Sequence, residues 1–177
     1  MAETADERFE VYRLLYQTFV LEIPRYADPG NGILVDRFDE RNIYFLAIRD
    51  DCVCGTMAIH DGPDFSVTKS LDNPKLLWKL RKPFIEARIF AVRPKYRFGL
   101  VFAGLACSVH RYARSKGYSN ILISGLARRK EMYEKMGFRA LGPARLRGGD
   151  HFVPMTLDLD AVPRKVEKNL ARWGELL

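Results

Sequence analysis

The sequence predicts an α/β (α+β) fold, a mixed central sheet flanked by helices, and three observations lead there. Phe9, Tyr12, Leu15, Tyr16, Phe19, Val20 and Ile23 recur at helical spacing over residues 5–22, which reads as an amphipathic helix packed on a sheet. The apolar runs at residues 43–48 and 52–59 flank the turn Arg49-Asp50-Asp51 and read as an antiparallel hairpin. From Phe84 to Phe138 an apolar run, a basic loop, a small-residue helix, a second apolar run and a basic helix follow one another, the grammar of parallel strands joined by helical crossovers. In such a unit an anionic ligand binds beyond the carboxyl ends of the strands, where a helix N-terminus presents free N–H groups.

Each element has its own punctuation. Pro24 stops the first helix, and residues 25–41 form a loop built on Asp28-Pro29-Gly30-Asn31-Gly32, long enough to be expected at a binding site. Gly55 interrupts the second hairpin strand and marks a bulge. Residues 60–83 lack a sustained period and read as an irregular excursion, with a turn at Asp61-Gly62-Pro63-Asp64 and a short helix at 74–80. Residues 84–92 alternate as a strand, with Glu86, Arg88, Phe90 and Val92 on one face. A carboxylate and a guanidinium on that face of an apolar strand need partners. They read equally as an ion bridge between loops and as a general base with an acceptor anchor.

Pro94 ends this strand, and the basic loop Lys95-Tyr96-Arg97-Phe98-Gly99 leads into a helix at residues 100–116. Ala103, Gly104, Ala106 and Cys107 let that helix approach a sheet, Arg111, Arg114 and Lys116 suit its C-terminal dipole, and Gly117 is its C′ residue. His110 reads as a helix-surface histidine. A strand at 121–123 and a basic helix closing at Gly137-Phe138 follow. Residues 139–146 read as a return strand kinked at Gly142-Pro143, and residues 147–150 as a turn. Residues 151–159 read as a last strand that Pro154 assigns to an edge or a bulge. Val162, Val166, Leu170, Trp173 and Leu177 form an apolar stripe on a final helix, which is suited to docking on the core, to a homodimer contact or to a lead into a further domain.

With 177 residues, 47% hydrophobic and 29% charged, the chain fits one ordinary globular domain and excludes a disordered one. Charges break every apolar run, so no membrane span is expected, and the polar, acidic opening does not read as a signal peptide. Cys52, Cys54 and Cys107 lack metal-ligand spacing and read as core thiols of a cytoplasmic protein with no metal. The formal charge of +7 is uneven: residues 75–147 hold 18 Lys/Arg against 3 Asp/Glu, while the remainder holds 11 against 19. That concentration favours an anionic partner, a nucleotide phosphate or an acidic carrier protein. Nucleic acid is disfavoured, because the basic residues lack the aromatic interleaving of a stacking platform.

The order Val92-x-Pro94-x-Tyr96-Arg97, then a helix, a strand and Met132-Tyr133-Glu134-Lys135-Met136-Gly137-Phe138, resembles the GNAT superfamily of N-acyltransferases. The resemblance covers residues 9–159 and implies a GNAT-like domain over 1–160, with 161–177 as an added amphipathic helix. It implies that the backbone of Phe90-Ala91-Val92 meets the pantetheine arm and thioester of a donor. It further implies that Tyr96, Arg97, Phe98, Gly99 and Leu100 hold the pyrophosphate, and that Tyr133 protonates the leaving thiolate. Leu100 and Phe102 stand where the family has small residues, and Phe98 and Phe102 would crowd a pyrophosphate. Relatives that use acyl-carrier protein, the acyl-homoserine-lactone synthases and N-acyl amino acid synthases, also depart from the glycine-rich loop. They resemble this chain in Glu86-x-Arg88, in Leu141-Gly142-Pro143 and in Pro154-Met155-x-Leu157. The expected activity is transfer of an acyl group, acetyl foremost, from acyl-CoA to the amine of a small molecule or amino acid, with Tyr133, Glu86 and Arg88 as catalytic residues. The alternatives are an acyl-carrier-protein-dependent N-acyl amino acid synthase and a non-catalytic binding domain.

Overall fold

Helix α1 (Ala5–Tyr16) begins where its first N–H groups find partners. Thr4 Oγ1 accepts the Glu7 N–H at 3.1 Å and the Glu7 carboxylate accepts the Thr4 N–H at 3.0 Å, a reciprocal capping box. The computed structural model describes residues 1–97 and 100–175. The predicted helix over 5–22 is present in two parts, because after Tyr16 it widens into a π-helical turn, Gln17–Glu22. The hairpin strands are β1 (Ile43–Arg49) and β2 (Cys52–His60). Asp50 and Asp51 both take positive φ, +52° and +57°, as a two-residue turn matched to strand twist requires. The register shifts between Ala47, opposite Gly55, and Ile48, opposite Val53, so the predicted bulge is there. The thiol expectation fails at one position: Cys54 and Cys107 are buried, but Cys52 is exposed at the start of β2.

The excursion over 61–83 contains two 3₁₀ turns, Ser66–Ser70 and Pro74–Lys79, the second near the predicted short helix. Strand β3 (Phe84–Val92) has the predicted bounds, and helix α2 (Val101–Ser115) ends before Gly117, whose φ is +75°. Strand β4 (Asn120–Leu126), helix α3 (Lys130–Lys135), the short strands β5 (Arg139–Ala140) and β6 (Arg145–Arg147), β7 (Asp150–Asp158) and helix α4 (Arg164–Gly174) complete the chain. The strand order is β1-β2-β3-β4-β7-β5, with β6 also on β7; β3 and β4 are parallel and the other recorded pairings antiparallel, so the sheet is mixed.

The chain forms two compact units, Met1–His60 with Arg88–Val109 and Asp61–Ala87 with His110–Leu177. In the first, Val11, Leu14 and Leu15 of α1 pack with Tyr44, Val53, Ala58 and Ala91. A Cβ on Gly55 would lie 2.6 Å from Val101 Cγ1, so this glycine permits the start of α2 to sit on β2. In the second unit Phe65, Val67, Leu71 and Leu77 of the excursion cover Leu122 of β4.

The edge position predicted from Pro154 is not what the fold adopts. Strand β7 has β4 along one side and β5 and β6 along the other. Pro154 O accepts the Leu141 N–H at 2.8 Å, but proline has no N–H to return the bond. The ladder with β5 ends there, and the predicted return strand over 139–146 is split into β5 and β6. Helix α4 is half-buried at Val166, Leu170 and Trp173, and Arg111 of α2 donates to the Gly174 carbonyl at 3.1 Å. Leu177, the end of the predicted stripe, lies outside the described residues.

Candidate active site

In the first unit the strict alternation of β3 breaks at Ile89, which takes φ +43°. For a β-branched residue this region is a true outlier that costs on the order of 1–3 kcal/mol, and such strain clusters at functional sites. Arg88 precedes it. Its side chain is only 10% exposed and pairs at close range with Asp36, which is 3% exposed. Asp36 also accepts the Phe38 N–H at 2.9 Å and the Asn42 amide at 3.0 Å. Burial pushes its carboxyl pKa upward, but the Arg88 charge and these hydrogen bonds win and hold it below the ordinary carboxylate value. The Arg88 guanidinium lies 4.6 Å from the Phe38 ring centroid, and those of Arg37 and Arg41 lie 4.4 and 5.1 Å from the same ring. The network continues from Asn42 to the Tyr44 hydroxyl and on to Asp39, which also accepts from Tyr12. Two buried atoms, Arg88 Nε and Asn42 Oδ1, have no hydrogen-bond partner among the described residues.

Loop 25–41 supplies Asp36 and Phe38 to this network and Asn42 follows it, three residues that sequence reasoning did not single out. Their one local signal is the polar-aromatic string after Val35, and Arg88 lies 52 residues from Asp36.

Of the predicted donor segment, Phe90 is exposed while Ala91 and Val92 are buried. Pro94–Tyr96 is a single 3₁₀ turn, Tyr96 is half-buried and Leu100 is exposed; Phe98 and Gly99 lie outside the described residues. Phe102 packs edge-on against Phe90 with centroids 5.3 Å apart. Arg97 Nε donates to the Val92 carbonyl at 2.9 Å, and both terminal nitrogens donate to the Glu22 carboxylate.

In the second unit Tyr133 is seated on β4. A Cβ on Gly125 would lie 2.8 and 2.9 Å from two of its ring carbons, so the glycine makes the seat. The Phe138 ring meets it edge-on at 6.2 Å. Burial raises the phenol pKa above its ordinary value, against the opposing effects of Arg129, the Leu126 backbone N–H and Arg128.

Glu86 belongs to this unit too. It has no exposed surface; Ser66 N–H donates to Oε2 at 2.6 Å, while Ser66 O–H and Val67 N–H donate to Oε1 at 2.6 and 2.7 Å. A carboxylate so enclosed holds the turn Ser66–Ser70. His110, expected on a helix surface, is half-buried, and burial followed by Arg114 lowers its pKa against Glu167. Among the described residues no group of three His, Cys, Asp or Glu is placed to hold a metal ion, and no helix is long and apolar enough to cross a membrane.

A family model described as N-acyl amino acid synthase FeeM matches residues 10–158. Among solved structures, a CoA-dependent acyl-homoserine lactone synthase, BjaI, with SAM and isopentyl-CoA, is similar at 20% identity, covering 96% of this chain and 82% of that one with a TM-score of 0.75. FeeM, an N-acyl amino acid synthase from uncultured soil microbes, is similar at 21% identity, with 89% and 93% coverage and a TM-score of 0.71. An acyl-CoA N-acyltransferase from Pseudomonas aeruginosa is similar at 16% identity, with 88% and 92% coverage and a TM-score of 0.62. At such identities the likeness speaks for the fold, the GNAT-like mixed sheet that the sequence predicts. No curated protein sequence matches the chain.

Proposed function

The chain belongs to the N-acyl amino acid synthase FeeM family, and on that premise we propose that it transfers an acyl group from a pantetheine thioester to the α-amine of an amino acid. The observation that carries the acceptor class is Arg88: a buried guanidinium beside two further arginines on the Phe38 ring, with its Nε unmatched among the described residues. A planar donor fork suits the carboxylate of an amino acid. Phe90, Ala91 and Val92, followed by the loop of Tyr96 to Leu100, receive the donor arm, and the strained Ile89 re-aims that stretch of β3.

The acceptor nitrogen attacks the thioester carbonyl, a C–N bond forms and the C–S bond breaks. The acceptor ammonium first loses one proton to water; the Tyr133 phenol gives its proton to the departing thiolate, and the proton that the nitrogen sheds as the amide forms returns to the tyrosinate. A raised phenol pKa keeps Tyr133 protonated through the neutral range, as an acid must be before it donates. Glu86 serves by position, fixing the Ser66–Ser70 turn without touching a reactant.

The test is a donor and acceptor panel. Acyl-CoA and acyl-carrier protein of matched chains, from acetyl upward, are incubated with free amino acids and simple amines, and products are read by mass spectrometry together with thiol release. N-acyl amino acids formed with matching thiol release are expected. Acylation of simple amines with amino acids ignored would overturn the acceptor class; no product from any pair would favour a non-catalytic domain.

A further inference from the structure

This inference rests on the proposed reading of the segment after β3 as the donor loop. Arg97 is the arginine of that loop, and its fork is already engaged: Nε on the Val92 carbonyl, and the two terminal nitrogens on the two oxygens of Glu22. Three of the five N–H donors of an arginine are thereby taken. A phosphate reaching Arg97 meets a carboxylate already seated there.

The position of Glu22 has a structural cause. It ends the π-helical turn Gln17–Glu22, where Ile23 N–H donates to Thr18 O at 2.9 Å across five residues. Such widened turns re-aim the side chains that follow and recur at functional sites. Both members of the pair stay partly exposed, 30% for Arg97 and 39% for Glu22, so a dissolved anion can compete for the guanidinium. A neighbouring cation is matched in the same way: Arg93, at the end of β3, pairs with Glu10 of α1 at 3.3 Å. Arg93 and Arg97 are therefore each met by a carboxylate of the N-terminal helical segment.

We propose that Glu22 is a donor-specificity residue, competing with the donor's phosphates for Arg97 and so disfavouring CoA relative to a carrier-protein donor. CoA brings a pyrophosphate and a 3′-phosphate, and each added negative charge is opposed by the carboxylate. The phosphopantetheine arm of an acyl-carrier protein brings one phosphodiester, and the acidic body of the carrier remains outside. Discrimination of this kind works through a repulsive element built against the competitor.

The experiment titrates free CoA by calorimetry at low ionic strength into the wild type, Glu22→Gln and the double variant Glu22→Gln/Arg97→Gln. In parallel, kcat/KM is measured with acyl-CoA and acyl-carrier protein of one chain length. Release of a charge-assisted fork should tighten CoA binding about tenfold in Glu22→Gln and raise the acyl-CoA to acyl-carrier-protein ratio of kcat/KM by a similar factor. The second substitution should remove the gain. Equal CoA affinity in wild type and Glu22→Gln, no CoA binding by either, or a gain that survives loss of Arg97 would each overturn the inference. Failure of the proposed reaction shows separately, as absence of N-acyl product from both donors, while the CoA titration still reports on the pair.

Discussion

Glu86 and Arg88 stand two residues apart on β3, both buried, and their surroundings differ in kind. Around Glu86 three donors close on two oxygens, and Arg147 anchors the same turn by donating to the Ser66 carbonyl at 3.3 Å. Around Arg88 one carboxylate meets one terminal nitrogen, three guanidinium groups share an aromatic ring, and Nε has no partner among the described residues. Buried charge is tolerated only when matched. A saturated group therefore reads as architecture, and a group with donor capacity left over reads as a place for a ligand.

The largest effect expected from breaking this contrast falls on stability at Glu86. Glu86→Ala strands two backbone N–H groups and a hydroxyl in a buried site and should cost about 3–5 kcal/mol in urea denaturation. A loss under about 1 kcal/mol would mean the turn finds other partners.

Next comes Tyr133→Phe, expected to lower kcat about 100-fold with little change in donor affinity, since the proton is needed only in the transition state. The acid form is present below the folded pKa and lost above it, and that pKa is raised. The kcat profile should therefore hold through neutral pH and fall only above the ordinary phenol value of about 10. Unchanged kcat when chemistry limits the rate would assign the ring to packing.

Gly125→Ala attacks the same ring from beneath. The new methyl would displace the Tyr133 ring, costing about 1–3 kcal/mol of stability and lowering kcat without altering acceptor KM. A raised acceptor KM with unchanged kcat would place the acceptor against Tyr133 and undo the contrast.

Local features of the fold were legible because local rules write them. The bounds of β3 follow from alternation ended by Pro94, the hairpin from two aspartates that tolerate positive φ, and the end of α2 from Gly117. The seat of Tyr133 was half legible: the motif marks the tyrosine, but not Gly125 beneath it. What the sequence hides is which charge meets which. Asp36 lies 52 residues from Arg88, Ser66 lies 20 from Glu86, and Glu22 lies 75 from Arg97. Alternation shows that Glu86 and Arg88 share a face, but not that Glu86 meets Ser66 and Val67 while Arg88 meets Asp36. The basic surplus of residues 75–147 likewise hides its pairings, since Asp36, Glu10, Glu22, Asp160 and Asp72, all outside that stretch, pair with arginines inside it. The π-turn leaves no periodic trace, because one widened turn barely disturbs an apolar stripe.

The account turns on Arg88 as the anchor of an acceptor carboxylate, and one comparison tests it most directly: kcat/KM for an amino acid against its primary carboxamide, in wild type and in Arg88→Lys. Lysine keeps a charge opposite Asp36 but lacks the planar fork. Wild type should prefer the free carboxylate, and Arg88→Lys should lower that preference about tenfold while donor KM stays in place. An undiminished preference for the carboxylate in Arg88→Lys would contradict the account and leave Arg88 as a second structural charge, like its neighbour Glu86.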